Sequence, residues 1–214
     1  VITKNHWKRK NEEQVRENAV FMFKREVAAS IAEILQSLQR VSHGKVRRYG
    51  PNFEDTPERV ARAYAEIFDG LFDDGTKLTE ILSKTFPAKS DEMITVGPIQ
   101  LWSMCPHHFL PVMMRIWIAY IPKKKVLGLS KLARLAELVA KKPALQEDTT
   151  AEIAQLLQKG LQPKGAACLI RGRHLCMEMR GVKKEAWTTT TALEGAFKEA
   201  TARAEFLAAV RGER

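Results

Sequence analysis

"MITVGPIQLWSMCPHHFLPVMMRIWIAYIP", residues 93–122, decides how the rest of the chain is read. "MITVGPIQLWSM" and "VMMRIWIAYIP" predict two strands, joined through a cluster of one cysteine and two histidines. Working outward, "SKLARLAELVAKK" and "TTAEIAQLLQKGL" predict helices, while "GAACLIRGRHLCMEMR" and "AWTTTTALEGAF" predict two further strands. "TARAEFLAAVR" predicts a closing helix. The order is β-β-α-α-β-β with helices at both ends. Strand pairs flanking a helix pair predict an α+β fold, an antiparallel sheet with helices on one face.

The first part of the chain has a different character. Residues 1–18 are polar and charged and read as a frayed arm. Val20, Phe23, Val27, Ile31, Ile34, Leu38 and Val41 then recur at spacings of three and four, one stripe of a long helix. Such a stripe either packs on its own domain or forms a seam with a second subunit. "SHGKVRRYGPNFEDTPERV" follows as a basic loop, ending at Thr56 as N-cap, Pro57 at the first helical position and Glu58 in the first turn. That helix presents Val60, Tyr64, Ile67, Phe68 and Leu71 and stops near Gly70.

Thiolate and imidazole are the ligands that borderline-soft metals prefer. Cys105 and His108 form a C-x-x-H pair, half of a zinc site. In "HLCMEMR" the strand reading puts Leu175, Met177 and Met179 on one face and His174, Cys176, Glu178 and Arg180 on the other. Cys176 can complete a site with Cys105 and His108, Pro106 favouring the turn while His107 points elsewhere. Three ligands leave a fourth position open, as in catalytic zinc; a closed structural site would instead take His107 or His174 as fourth ligand. Simple burial is the remaining reading of these cysteines, and it is the one assigned to Cys168.

Composition bounds the function classes. The 214 residues are 45% hydrophobic, enough for one good core. No apolar run approaches the ~20 residues of a membrane helix. The charged start does not resemble a signal peptide, although the missing initiator Met reads as a trimmed or partial chain. Three cysteines, an odd number, fit a reducing, cytoplasmic setting better than a disulfide framework. The net charge of +10 suggests an anionic partner. Ser130 begins a helix with Lys131 and Arg134 in its first turn, where cations oppose the helix dipole. This is either a phosphate cradle or a solvated basic face. Glu147, in "LQEDTT", is either a pocket carboxylate or an ordinary acidic helix start.

Together "DTPERVARAY", "SMCPHH", "YIPKKKVLGLSKLARL", "LQEDTT", "HLCMEMRGV", "TTTTALEGAF" and "EFLAAVR" resemble the GTP cyclohydrolase I family over about residues 52–211. The resemblance implies the tunnelling fold, with subunit sheets joining into a barrel, usually in a homodecamer of two pentamers. It divides the chain into an arm, helix and basic loop over 1–51 and a catalytic domain over 52–214. The implied reaction opens the guanine ring of GTP, releases formate and yields 7,8-dihydroneopterin triphosphate for pterin or folate-type synthesis. Carried over, the zinc ligands are Cys105, His108 and Cys176, and the proton-transfer residues His107 and His174. Zinc then activates the water that attacks C8. Glu147 receives the N1 and N2 protons of guanine, with Gln146 beside it. Arg59, Lys131, Arg134 and Arg180 hold the triphosphate and Ser130 the ribose, in a pocket between subunits. The family's usual Glu is replaced here by Pro106, which removes a charge beside the ligands.

Other functions fit less well. A nucleic-acid binder would use the positive charge, yet the sequence shows no aromatic–basic platform, and neither nucleic acid nor membrane is expected as a partner. Fold relatives with a three-histidine zinc, or zinc-free deazaguanine reductases, do not match two cysteines with two histidines. A GTP-binding relative with altered or lost turnover, or an enzyme feeding deazaguanine synthesis, is the runner-up.

Overall fold

A computed structural model describes residues 4–43, 45 and 50–211, and side chains from residue 13 onward apart from residues 50 and 51. The chain divides into two compact units, Val1–Asp74 and Gly75–Arg214. Most of the basic loop, Gly44 and residues 46–49, lies outside the described residues.

In the first unit, helix α1 spans Lys4–Val41, α2 Gly50–Phe53 and α3 Thr56–Ile67, followed by a 3₁₀ turn at Asp69–Phe72. The expected frayed arm is thus helical from Lys4 onward. Its Lys, Arg, Glu and Gln residues are good helix formers without any apolar face. The stripe on α1 splits in two. Phe23 packs edge-on against Phe68 and Phe72, whereas Ile34, Leu38 and Val41 stay 45–73% exposed. Helix α3 is capped one residue earlier than expected, with Asp55 at N-cap and no side-chain cap bond. The Thr56 hydroxyl instead lies 3.5 Å from the carbonyl of Asn52.

The second unit runs α4 (Thr76–Ser83), β1 (Thr85–Pro87), β2 (Ile94–Met104), β3 (Pro111–Ile121), β4 (Lys125–Leu127), α5 (Leu129–Ala140) and α6 (Gln146–Leu161). It ends with β5 (Gly165–His174), α7 (Leu175–Glu178), β6 (Trp187–Gly195), a 3₁₀ turn at Ala196–Lys198 and α8 (Ala200–Arg211). The order β2-β3-β5-β6 makes one antiparallel sheet, and β1 pairs with β4 in a second. The α+β architecture is as the sequence predicts.

Alternation along β3 and β5 builds two cores. Val112, Met114, Ile116, Ile118 and Tyr120, with Cys168 and Ile170, face α5 and α6. The buried Tyr120 hydroxyl accepts the Leu127 N–H at 2.9 Å, tying β4 to this face. On the opposite face Trp117, Ala119, Ala167 and Leu169 are covered by Phe197 and by Phe206 and Val210 of α8. The same face also gathers arginine and tryptophan. The Arg115 and Arg173 guanidiniums lie 5.3 and 6.0 Å from the Trp187 ring, and Arg171 lies 5.4 Å from Trp117. This arrangement is assembled by the register of three strands; of its two rings Trp187 is exposed and Trp117 is buried. Among the described residues no helix is long and apolar enough to cross a membrane.

Candidate functional site

The β2–β3 connection closes on itself. The Cys105 N–H donates to the Leu110 carbonyl at 2.9 Å, and the Phe109 N–H to the Cys105 carbonyl at 3.0 Å. Phe109 takes a left-handed φ of 50° to complete the turn. Pro106 sits within it, where a fixed φ and a missing N–H cost nothing. Nearby, the Ser103 hydroxyl reaches the Lys142 carbonyl at 3.3 Å and Met104 bridges Pro143, bringing the start of α6 alongside.

The second segment differs from its predicted form. Strand β5 ends at His174, and Leu175–Glu178 is a helical turn, closed by the Met179 N–H on the Leu175 carbonyl at 3.0 Å. The expected alternation beyond residue 174 is therefore absent. Met177 and Met179 are 39% and 61% exposed and are not core residues. Glu178 turns from the cavity into a bidentate pair with Arg173, at 2.9 and 2.6 Å. Arg173 holds the Glu178 carboxyl below its ordinary pKa, chiefly through this hydrogen bond. Cys176, on this turn, and Arg180, just beyond its end, both still line the cavity.

Cys105, His108 and Cys176 bring their ligand atoms within 4.8 Å of one another, with the two sulfurs 3.6 Å apart. Burial, then the neighbouring Cys105 thiol, pushes the Cys176 thiol above its ordinary pKa, with Arg180 opposing. Two thiols so close resist joint ionisation unless a cation sits between them; a divalent ion reverses that balance. Two sulfurs and an imidazole suit zinc, and the donor set fits it. His107 also lines this cavity, with Nδ1 3.7 Å from the Cys105 sulfur. Arg180 Nη1 lies 2.5 Å from His108 Nε2.

A cavity of about 520 Å³ lies over this group. It is lined by Cys105, His107, His108, Gln146, Glu147, His174, Cys176 and Arg180. Its size suits a small-molecule ligand. Burial lowers the pKa of His174, with Glu147 and Glu178 opposing. Glu147 is exposed in the first turn of α6. Gln146 beside it is 2% exposed, and its amide is bonded within the protein.

Other expected site residues lie elsewhere in the chain. Ser130, Lys131 and Arg134 do not line the cavity. Ser130 and Lys131 occupy the first turn of α5, which holds no acid, but Arg134 falls in the second turn. Lys131 lies 3.9 Å from Glu80. Arg59 belongs to the first unit, where it pairs with Asp55 at 3.6 Å. Sequence reasoning missed the support residues Arg173, Gly172, Thr150 and Thr190. The "TTTT" run held a signal, since alternate threonines of a strand must share the buried face.

A family model for GTP cyclohydrolase I matches residues 27–211. Similar relatives include GTP cyclohydrolase 1 of Corynebacterium glutamicum strain R, 48% identical over 162 residues, covering 74% of this chain and 81% of that protein. GTP cyclohydrolase 1 of Carboxydothermus hydrogenoformans is 47% identical over 160 residues, covering 73% and 82%. Among solved structures, archaeosine synthase QueF-Like in the apo form aligns with a TM-score of 0.42 at 15% identity, covering 50% of this chain and 98% of that one.

Proposed function

The chain belongs to the GTP cyclohydrolase I family of hydrolases, and on that premise we propose that it converts GTP to 7,8-dihydroneopterin triphosphate with release of formate. The observation that carries this reading is the convergence of Cys105, His108 and Cys176 with His107, His174 and Glu147 on one cavity. We assign zinc to the cysteine–histidine group, where it supplies the Lewis acidity that makes water nucleophilic near neutral pH.

The protein's own groups do the remaining work in this proposal. The Glu147 carboxylate accepts the N1 and N2 protons of guanine, a parallel pair that only an ionised acid matches. His107 and His174 pass protons to the purine nitrogen and the ribose ring oxygen, as imidazoles do near neutral pH. Arg180, already at the cavity, takes phosphate oxygens. Arg59, Lys131 and Arg134 complete the triphosphate clamp and Ser130 the ribose contact. Three of these four lie in the same unit as the cavity and do not line it. That distribution supports a pocket shared between subunits, and with it a barrel-forming homo-oligomer of decamer type. Residues 52–214 act in this account as the catalytic segment and 1–51 as an oligomer-building arm. A cytoplasmic location and a place at the head of pterin or folate-type synthesis complete the proposal.

Incubation of zinc-loaded protein with GTP tests it. Formate and a pterin chromophore are the expected products. GTP bound but unchanged favours the second reading, a binding relative, for which Pro106 in place of the usual acid is the motive.

A further inference from the structure

Gln146 opens α6 and is almost fully buried, yet it sits at the cavity wall. Its Nε2 lies 3.2 Å from the Ile170 carbonyl, 3.1 Å from the Thr188 carbonyl and 3.0 Å from the Thr190 hydroxyl. Main-chain carbonyls only accept, so the end of the amide that faces two of them carries the N–H groups. The hydroxyls agree. Thr150 donates its one proton to the Gln146 carbonyl at 2.6 Å, so Thr190, 2.6 Å from Thr150, donates to it and offers a lone pair to Gln146. The reversed amide would set one buried acceptor against two others.

The other end of the amide, Oε1, is therefore an acceptor, and it lies 3.0 Å from His174 Nε2. A neutral imidazole has a single N–H, and this contact requires it on Nε2. The backbone makes room for the arrangement at Gly172, where a Cβ would lie 2.0 Å from Oε1 and 3.4 Å from His174 Nε2. Any side chain there displaces the amide.

We propose that Gln146 is a positioning residue that holds His174 in its Nε2–H tautomer, leaving Nδ1 as the ring atom that exchanges a proton with substrate. Gly172 is the residue that admits the amide. The role of His174 in the reaction rests on the function proposed above; the tautomer does not.

Neutron diffraction from deuterium-exchanged crystals of the zinc-loaded protein tests the tautomer without any turnover. Deuterium is expected on His174 Nε2 and twice on Gln146 Nε2, and a bare His174 Nε2 overturns the proposal. If GTP yields no formate while Nε2 carries deuterium, the reaction is wrong and the tautomer stands. Where formate is released, Gln146→Met removes the acceptor at similar length. It is expected to lower kcat about 100-fold, as small misplacements of a reacting group do. KM for GTP should stay within about 3-fold, since ground-state binding is untouched. Gly172→Ala should act through the same bond, so the double variant should be no slower than the slower single one. A Gln146→Met protein with raised KM and unchanged kcat makes Gln146 a substrate ligand and overturns the proposal.

Discussion

Two connections at the same end of the sheet supply the candidate metal ligands, and they are built on different principles. The β2–β3 turn holds Cys105 and His108 by main-chain hydrogen bonds and a proline. The segment after β5 holds Cys176 on a single helical turn. Arg173 on the last strand residues grips Glu178 at the end of that turn, like a strap across it. A main-chain turn keeps its shape under most side-chain changes. A strap is lost with one charge. The first connection is thus set by its main chain, while the second adds to its own main-chain bond, from the Met179 N–H to the Leu175 carbonyl, an ion pair that is part-buried and bidentate.

The largest effect should come from removing a ligand on either side, because a site of three protein donors fails with two. Cys105→Ser and Cys176→Ser should each reduce bound zinc from about one per chain to near zero after dialysis. Elemental analysis of the purified proteins checks this. Retention of zinc by the Cys176→Ser protein would show that the β2–β3 turn binds metal alone and remove the second connection from the site.

The two connections also differ in how far the sequence discloses them. A C-x-x-H pair with an internal proline is a local signal, and the structure forms the turn it predicts. "HLCMEMR" was misleading because apolar and polar residues alternate there at period two, yet Cys176 and Arg180 equally fit a helical spacing of four. Nothing in one sequence announces that Arg173 and Glu178 will pair and favour the turn. The Arg115–Trp187–Arg173 arrangement was hidden for a related reason, since it needs the register of β3, β5 and β6 together. Strand β3 was legible as a strand because both of its faces are buried along much of its length, which leaves a near-continuous apolar run. Thr56 was misjudged as a cap by one residue, within the ordinary slack of helix ends. Ser130, Lys131 and Arg134 were legible as a basic helix start, while their substrate roles, like that of Arg59, came from the resemblance alone; the first three do not line the cavity of their own unit.

An intermediate effect is expected from Glu178→Gln. The variant keeps the size of the side chain and loses the charge that Arg173 holds. Zinc affinity should fall by about 10–100-fold, the usual cost of losing a group that orients a metal ligand. Competition with a chromogenic chelator measures it directly, independent of turnover. An unchanged affinity breaks the comparison, since the helical turn would then hold Cys176 without its strap.

The smallest effect belongs to Pro106. Its ring contributes no donor, no charge and no ligand atom, so its influence on the first connection is through the unfolded chain. Pro106→Ala should lower stability by about 0.4–1 kcal/mol, the entropy a compatible proline removes from the unfolded state. Denaturant midpoints of the zinc-loaded proteins read this difference. Chelator competition on the same variant should differ from the parent by less than Glu178→Gln does, because the Cys105–Leu110 and Phe109–Cys105 main-chain bonds remain. Formate release should persist as well, since neither imidazole is touched. A Pro106→Ala protein that loses zinc as readily as Glu178→Gln would mean that the first turn, too, is imposed by one residue and not by its backbone.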